Sequence, residues 1–131
     1  MTKKPNVRSR TSGRLLRWLL ISLFWGALAF ALVMALLPEP PAVPSDPSDK
    51  QLHMLAFATL TMLWLLAYPG TPLIVILIVL GALGGLIELV QGTKLINREA
   101  SLADWFADIV AILAILVCVA FGRAVCSLLR R

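Results

Sequence analysis

Four long apolar stretches separated by short polar breaks make up most of the chain, and each break decides what the stretch beside it becomes. Residues 15–37 carry a single charge, Arg17, and about 20 apolar residues suffice for a helix to cross a bilayer. This predicts a first membrane-spanning helix. A basic segment precedes it, and small-x-small patterns at Ala27–Ala29 and Ala29–Ala31 resemble a cleaved signal peptide. The run is longer than a signal core of roughly 7–15 residues, however, and more spans follow. The second stretch, 49–68, is rich in Leu, Met and Phe and must end at the turn signal Pro69-Gly70-Thr71-Pro72. The third, 73–91, opens LIVILIVL, β-branched enough for a strand in a soluble protein. In lipid an isolated strand would leave its backbone unpaired, so helix is expected. The fourth covers 101–122.

The breaks carry their own signals. Residues 1–14 are polar and basic without periodicity and predict a disordered tail; 123–131 form a second basic tail. Residues 38–48, PEPPAVPSDPS, forbid helix and predict an extended linker. Ser48 with Gln51 at N3 has capping-box spacing, as does Ser101 with Asp104. A start at Asp46, with Pro47 as the first helical residue, is the alternative for the second helix. The reading is an all-α, four-helix transmembrane bundle.

Composition supports the membrane class: 60% of the 131 residues are hydrophobic, and the mean hydropathy is +0.89. The net charge of +5 invites a nucleic-acid partner, but its distribution argues for a topology signal instead. Six Lys and Arg precede the second half of the first helix and three follow the fourth, against one in 38–50 and two in 92–100. The positive-inside rule therefore predicts both termini cytoplasmic, with the bilayer as the main partner and no nucleic acid. Cys118 and Cys126 lie eight residues apart, about 12 Å of helical rise, beyond disulfide reach. No cofactor or metal spacing is evident.

This topology gathers polar residues that are scattered in sequence. Asp49, Lys50 and His53 open the second helix, Glu88 and Gln91 close the third, Arg98 lies in the connector, and Ser101, Asp104 and Asp108 open the fourth. All fall toward the outer side. Gly81, Gly84 and Gly85 on the third helix, and Ala111, Cys118 and Gly122 continuing the Ser101–Asp108 stripe on the fourth, are expected to pack these helices closely. Ionisable groups at membrane depth cost roughly 2.5–3.5 kcal/mol each by insertion scales, so they tend to be paired and functional. Separately, each has a plainer reading. Glu88 would pair with Lys94 or Arg98 as an anchor, His53 would be an interfacial histidine, and Asp104 would only cap its helix. Convergence on one side favours a shared pocket suited to acid–base work or to binding an amine or hard cation.

The ordered pattern Asp49-Lys50-x-x-His53-x-x-x-Phe57, Glu88-x-x-Gln91 and Arg98-x-x-Ser101-x-x-Asp104-x-x-x-Asp108 resembles the VanZ-like family over residues 49–122. These are small bacterial membrane proteins named for a component associated with teicoplanin resistance. The family pattern usually has Asn at the position of Asp108 and often Gly at Ala111, so this chain adds a deep carboxylate and loses a close-packing glycine. The resemblance implies a multi-pass protein of the bacterial cytoplasmic (inner) membrane with a polar pocket, and a link to glycopeptide susceptibility. The expected function is that of an envelope factor binding a polar or lipid-linked ligand, such as a cell-wall precursor. The alternatives are an intramembrane enzyme using His53 with Glu88 or Asp104, and a structural subunit beside a membrane-protein partner.

Overall fold

The computed structural model describes residues 7–38, 41, 48–93, 96 and 100–130, with side chains from Gly13 onward. These residues form four helices and no strand: α1 (Val7–Leu36), α2 (Asp49–Ala67), α3 (Leu73–Gln91) and α4 (Leu102–Leu129). All four contain segments long and apolar enough to cross a membrane. Helices α2 and α3 have 19 residues each, about 28 Å of rise, which matches a hydrocarbon core of roughly 30 Å. The β-branched opening of α3 is helical, as the demand for paired backbone in lipid requires.

Two boundaries differ from expectation. Helix α1 begins at Val7 instead of near Leu15, so residues 7–14 continue the helix and are not a disordered tail. No proline lies between Pro5 and Pro38, and Arg and Leu are good helix formers. Helix α4 runs through Leu129, seven residues past the expected end at Gly122. A lone glycine costs about 1 kcal/mol in a helix, too little to stop one with no proline beyond it. The proline-rich linker lies almost wholly outside the described residues, as do Lys94 and Arg98.

The helices run up-down-up-down. Helix α2 packs most extensively against α4, and also against α1, while α3 packs against α4 and more lightly against α1. Leu60, Ile76, Leu80, Ile112 and Leu116 fill the centre. At one end, called here the turn end, Phe24 of α1 enters an aromatic cluster with Trp25, Trp64 and Tyr68. The other end joins the start of α2, the end of α3 and the start of α4.

The buried stripe on α4 also departs from expectation. Asp108 and Ala111 are buried, but below them Ile112 and Leu116 face inward, whereas Cys118 and Gly122 are exposed. Burying a branched aliphatic side chain is worth about 1.5–3 kcal/mol, more than a small residue offers where no helix approaches closely.

Candidate functional site

Each helix start near the site is set by its cap. Ser48 caps α2 with both arms of a capping box: its hydroxyl accepts from the Gln51 N–H, and its own N–H donates to Gln51 Oε1 at 3.0 Å. The helix therefore starts after Ser48, not at Asp46, and His53, Phe57, Leu60 and Thr61 are among its buried residues. Ser101 caps α4 differently. Its hydroxyl accepts from the Asp104 N–H, but its own N–H donates across the bundle to Glu88 Oε2 at 2.7 Å. A carboxylate on α3 thus supplies the second arm of the α4 cap.

The other Glu88 oxygen turns inward. His53 Nδ1 stands 3.7 Å from Glu88 Oε1 and 3.5 Å from Asp108 Oδ2, bringing one ionisable group from each of α2, α3 and α4 together. All three are buried, at 7%, 6% and 0% exposure. Both separations exceed the usual hydrogen-bond range of about 2.7–3.2 Å, so the groups face one another without closing. Among the described residues His53 Nδ1, Glu88 Oε1 and both Asp108 carboxylate oxygens have no hydrogen-bond partner. Buried polar atoms are nearly always satisfied, and leaving one unmet costs about 1–3 kcal/mol. An arrangement of this kind can exchange protons between imidazole and carboxylate or accept hydrogen bonds from a donor-rich group. Among the described residues no group of His, Cys, Asp and Glu has the disposition to hold a metal ion.

Glycine makes the room. A Cβ on Gly84 would stand 2.9 Å from Asp108 Oδ2, 3.3 Å from Phe57 Cζ and 3.4 Å from Trp105 Cδ1. On Gly85 it would meet Trp105 Nε1 at 3.3 Å. The α3 glycines therefore admit the side chains of Asp108 and Trp105, and the Trp105 N–H donates to the Gly81 carbonyl at 2.9 Å. The sequence signal that could place Trp105 here is its position three residues before Asp108, on the same helical face.

The remaining sequence candidates scatter. Gln91 is buried but turns away to α1, donating from Nε2 to the Ala35 carbonyl at 2.8 Å. Asp49 and Lys50 are exposed on the first turn of α2, and Asp104 is half-buried. The carboxylates facing His53 are Glu88 and Asp108, not Asp104. Arg98 lies outside the described residues. Thr61, which sequence reasoning missed, is fully buried one turn beyond Phe57 and donates to the Phe57 carbonyl at 2.7 Å.

Beside the cluster an open groove of about 610 Å³ runs between α3 and α4, lined by Gly85, Leu86, Glu88, Leu89, Ser101 and Trp105 among others. Leu86, Leu89 and Leu102 on its rim are exposed, so it opens sideways from the bundle.

Four membrane-length helices around a buried histidine–carboxylate cluster define the class: an all-helical protein marked as a candidate multi-pass membrane protein. No protein-family model matches the chain, and no curated protein or solved structure matches it either.

Proposed function

We propose that this protein binds an amphiphile at the membrane, the apolar part lying in the α3–α4 groove and the polar part reaching the His53–Glu88–Asp108 cluster. One observation carries this reading: an apolar groove open to the side has Glu88 in its wall, and Glu88 also faces His53, which in turn faces Asp108. Lipid-facing apolar residues and an intramembrane ionisable cluster meet at one place, which suits a ligand with both characters. The Lys and Arg count supports an outer position for this end, and the VanZ-like pattern supports an envelope factor of the bacterial cytoplasmic membrane acting on a lipid-linked component. A role in glycopeptide susceptibility belongs to the same proposal.

The test is identification of lipids retained by the protein in native nanodiscs, comparing wild type with Glu88→Gln, alongside complementation of a deletion strain scored for glycopeptide sensitivity and envelope integrity. The reading predicts an enriched species that Glu88→Gln loses, together with failed rescue. A lipid profile identical to bulk membrane in both proteins, with full rescue, would sink it.

A second reading, an intramembrane acid–base enzyme, is favoured by His53 Nδ1 facing two carboxylates. It requires turnover of an envelope lipid by purified protein. Binding without conversion returns the choice to the first.

A further inference from the structure

The cluster holds more acceptors than its own donors can serve. Among the described residues Glu88 Oε1, Asp108 Oδ1 and Asp108 Oδ2 are buried without a hydrogen-bond partner, and the group facing them is a single imidazole nitrogen, itself unpartnered on a residue 7% exposed. One N–H can serve one of those oxygens. Charge points the same way. With both carboxylates ionised, the site stays net negative even when the imidazole is protonated, and no described Lys or Arg makes an ion pair with them. A partner that completes this site brings several N–H donors and one positive charge. It must also arrive with apolar bulk if it enters along the groove, whose rim is Leu86, Leu89 and Leu102.

We propose that the His53–Glu88–Asp108 cluster takes the primary ammonium head of an amphiphile that enters through the α3–α4 groove. This rests on the amphiphile-binding reading above and names its ligand class. A primary ammonium carries three donors, enough for the oxygens that the imidazole leaves unserved, and with an imidazolium it neutralises two ionised carboxylates. A trimethylammonium head has the charge but no N–H, and a glycerol head has hydroxyl donors but leaves the negative charge unmet. Gly84 contributes by leaving the Asp108 carboxylate one methyl group of space, since a Cβ there would stand 2.9 Å from Oδ2.

The experiment titrates the purified full chain with short-chain phosphatidylethanolamine, phosphatidylcholine and phosphatidylglycerol, reading binding by native mass spectrometry. Wild type should prefer phosphatidylethanolamine over phosphatidylcholine by about tenfold or more, as expected for hydrogen bonds to buried charged acceptors. Asp108→Asn and Glu88→Gln should each reduce that preference severalfold, and Glu88→Gln keeps an oxygen for the Ser101 N–H should Asp108→Asn fold poorly. Equal binding of the three lipids, with all of them lost when Gly85→Leu fills the groove, would overturn the ammonium proposal and leave the amphiphile reading standing. No binding beyond that of Gly85→Leu for any lipid would overturn both. A preference that emerges only in Arg98→Gln would overturn the proposal by showing that the chain supplies its own cation.

Discussion

The two ends of the bundle are built on opposite rules. At the turn end the polar atoms of the aromatic cluster are served: Trp25 Nε1 donates to the Tyr68 hydroxyl at 3.1 Å and Trp64 Nε1 to Thr71 Oγ1 at 3.2 Å. Phe24 sits edge-on to three rings, with centroids 5.4 Å from Trp25, 5.4 Å from Trp64 and 6.0 Å from Tyr68. At the other end, among the described residues, four buried atoms of three ionisable side chains go without hydrogen-bond partners. The first end gains from every contact it makes. The second carries a desolvation cost that its own contacts do not offset, and proteins tend to retain that kind of cost where a ligand or a reaction depends on it.

The comparison breaks most readily at Phe24. Phe24→Ala removes the ring on which α1 docks and should destabilise the protein by about 3–5 kcal/mol, measured by denaturant unfolding in detergent micelles. A loss under about 1 kcal/mol would mean that α1 is held mainly elsewhere. The opposite sign is expected at the polar end. Replacing His53 and Asp108 together by Leu should leave stability unchanged or raise it by up to about 4 kcal/mol, because well-packed apolar residues commonly outperform a buried ionic group. The same double variant should retain no enriched lipid. Marked destabilisation would instead identify the cluster as a clamp between helices, the role of a structural subunit.

This division was partly legible in the sequence. Hydropathy alone defines four spans, and the helical starts at Ser48 and Ser101 follow from side-chain chemistry that is local in sequence. Local signals could place Glu88 near the start of α4, because chain reversal puts the end of α3 there. They could not choose among Asp49, Asp104 and Asp108 as partners for His53, since that choice depends on helix rotation. Rotation is fixed by long-range packing: Gly84 admits the Asp108 carboxylate beside Phe57, while Asp49 and Lys50 are left on the exposed first turn of α2. The same limit explains Gln91, which shares a helical face with Glu88 by spacing yet bonds to Ala35 of α1. Small-residue spacing misled on α4, where Cys118 and Gly122 are exposed and Ile112 and Leu116 carry the packing.

Gly84→Ala tests whether that space matters. The added methyl would press on Asp108 Oδ2 at 2.9 Å, with Phe57 and Trp105 closing the other sides, so a cost of about 1–3 kcal/mol and weakened lipid retention are expected. If both stayed at wild-type values, the carboxylate would be free to move and its placement beside His53 would not be specified by Gly84. Gln91→Leu is a smaller perturbation. It removes one cross-helix hydrogen bond of 2.8 Å to the Ala35 carbonyl and should cost about 0.5–1.5 kcal/mol without altering which lipid is retained. A change in lipid profile would place Gln91 in the binding machinery.

The smallest effect is the most discriminating. In α2 the Ser48 N–H is served by Gln51 three residues on, whereas in α4 the Ser101 N–H is served by Glu88 from another helix, at 2.7 Å. Asp104 occupies the place that Gln51 holds in α2, but with its cap task taken over, its remaining contribution is a negative charge near a helix N-terminus, worth about 0.3–1 kcal/mol. Asp104→Asn should therefore cost about 0.5 kcal/mol or less in the same unfolding assay. Glu88→Ala, which strips the Ser101 N–H of a charged acceptor, should loosen the start of α4 enough to speed amide hydrogen exchange at Ser101 and Leu102. If Asp104→Asn produced that acceleration and Glu88→Ala did not, the α4 start would be capped locally like that of α2, and Glu88 would be released from its structural task to serve the cluster alone.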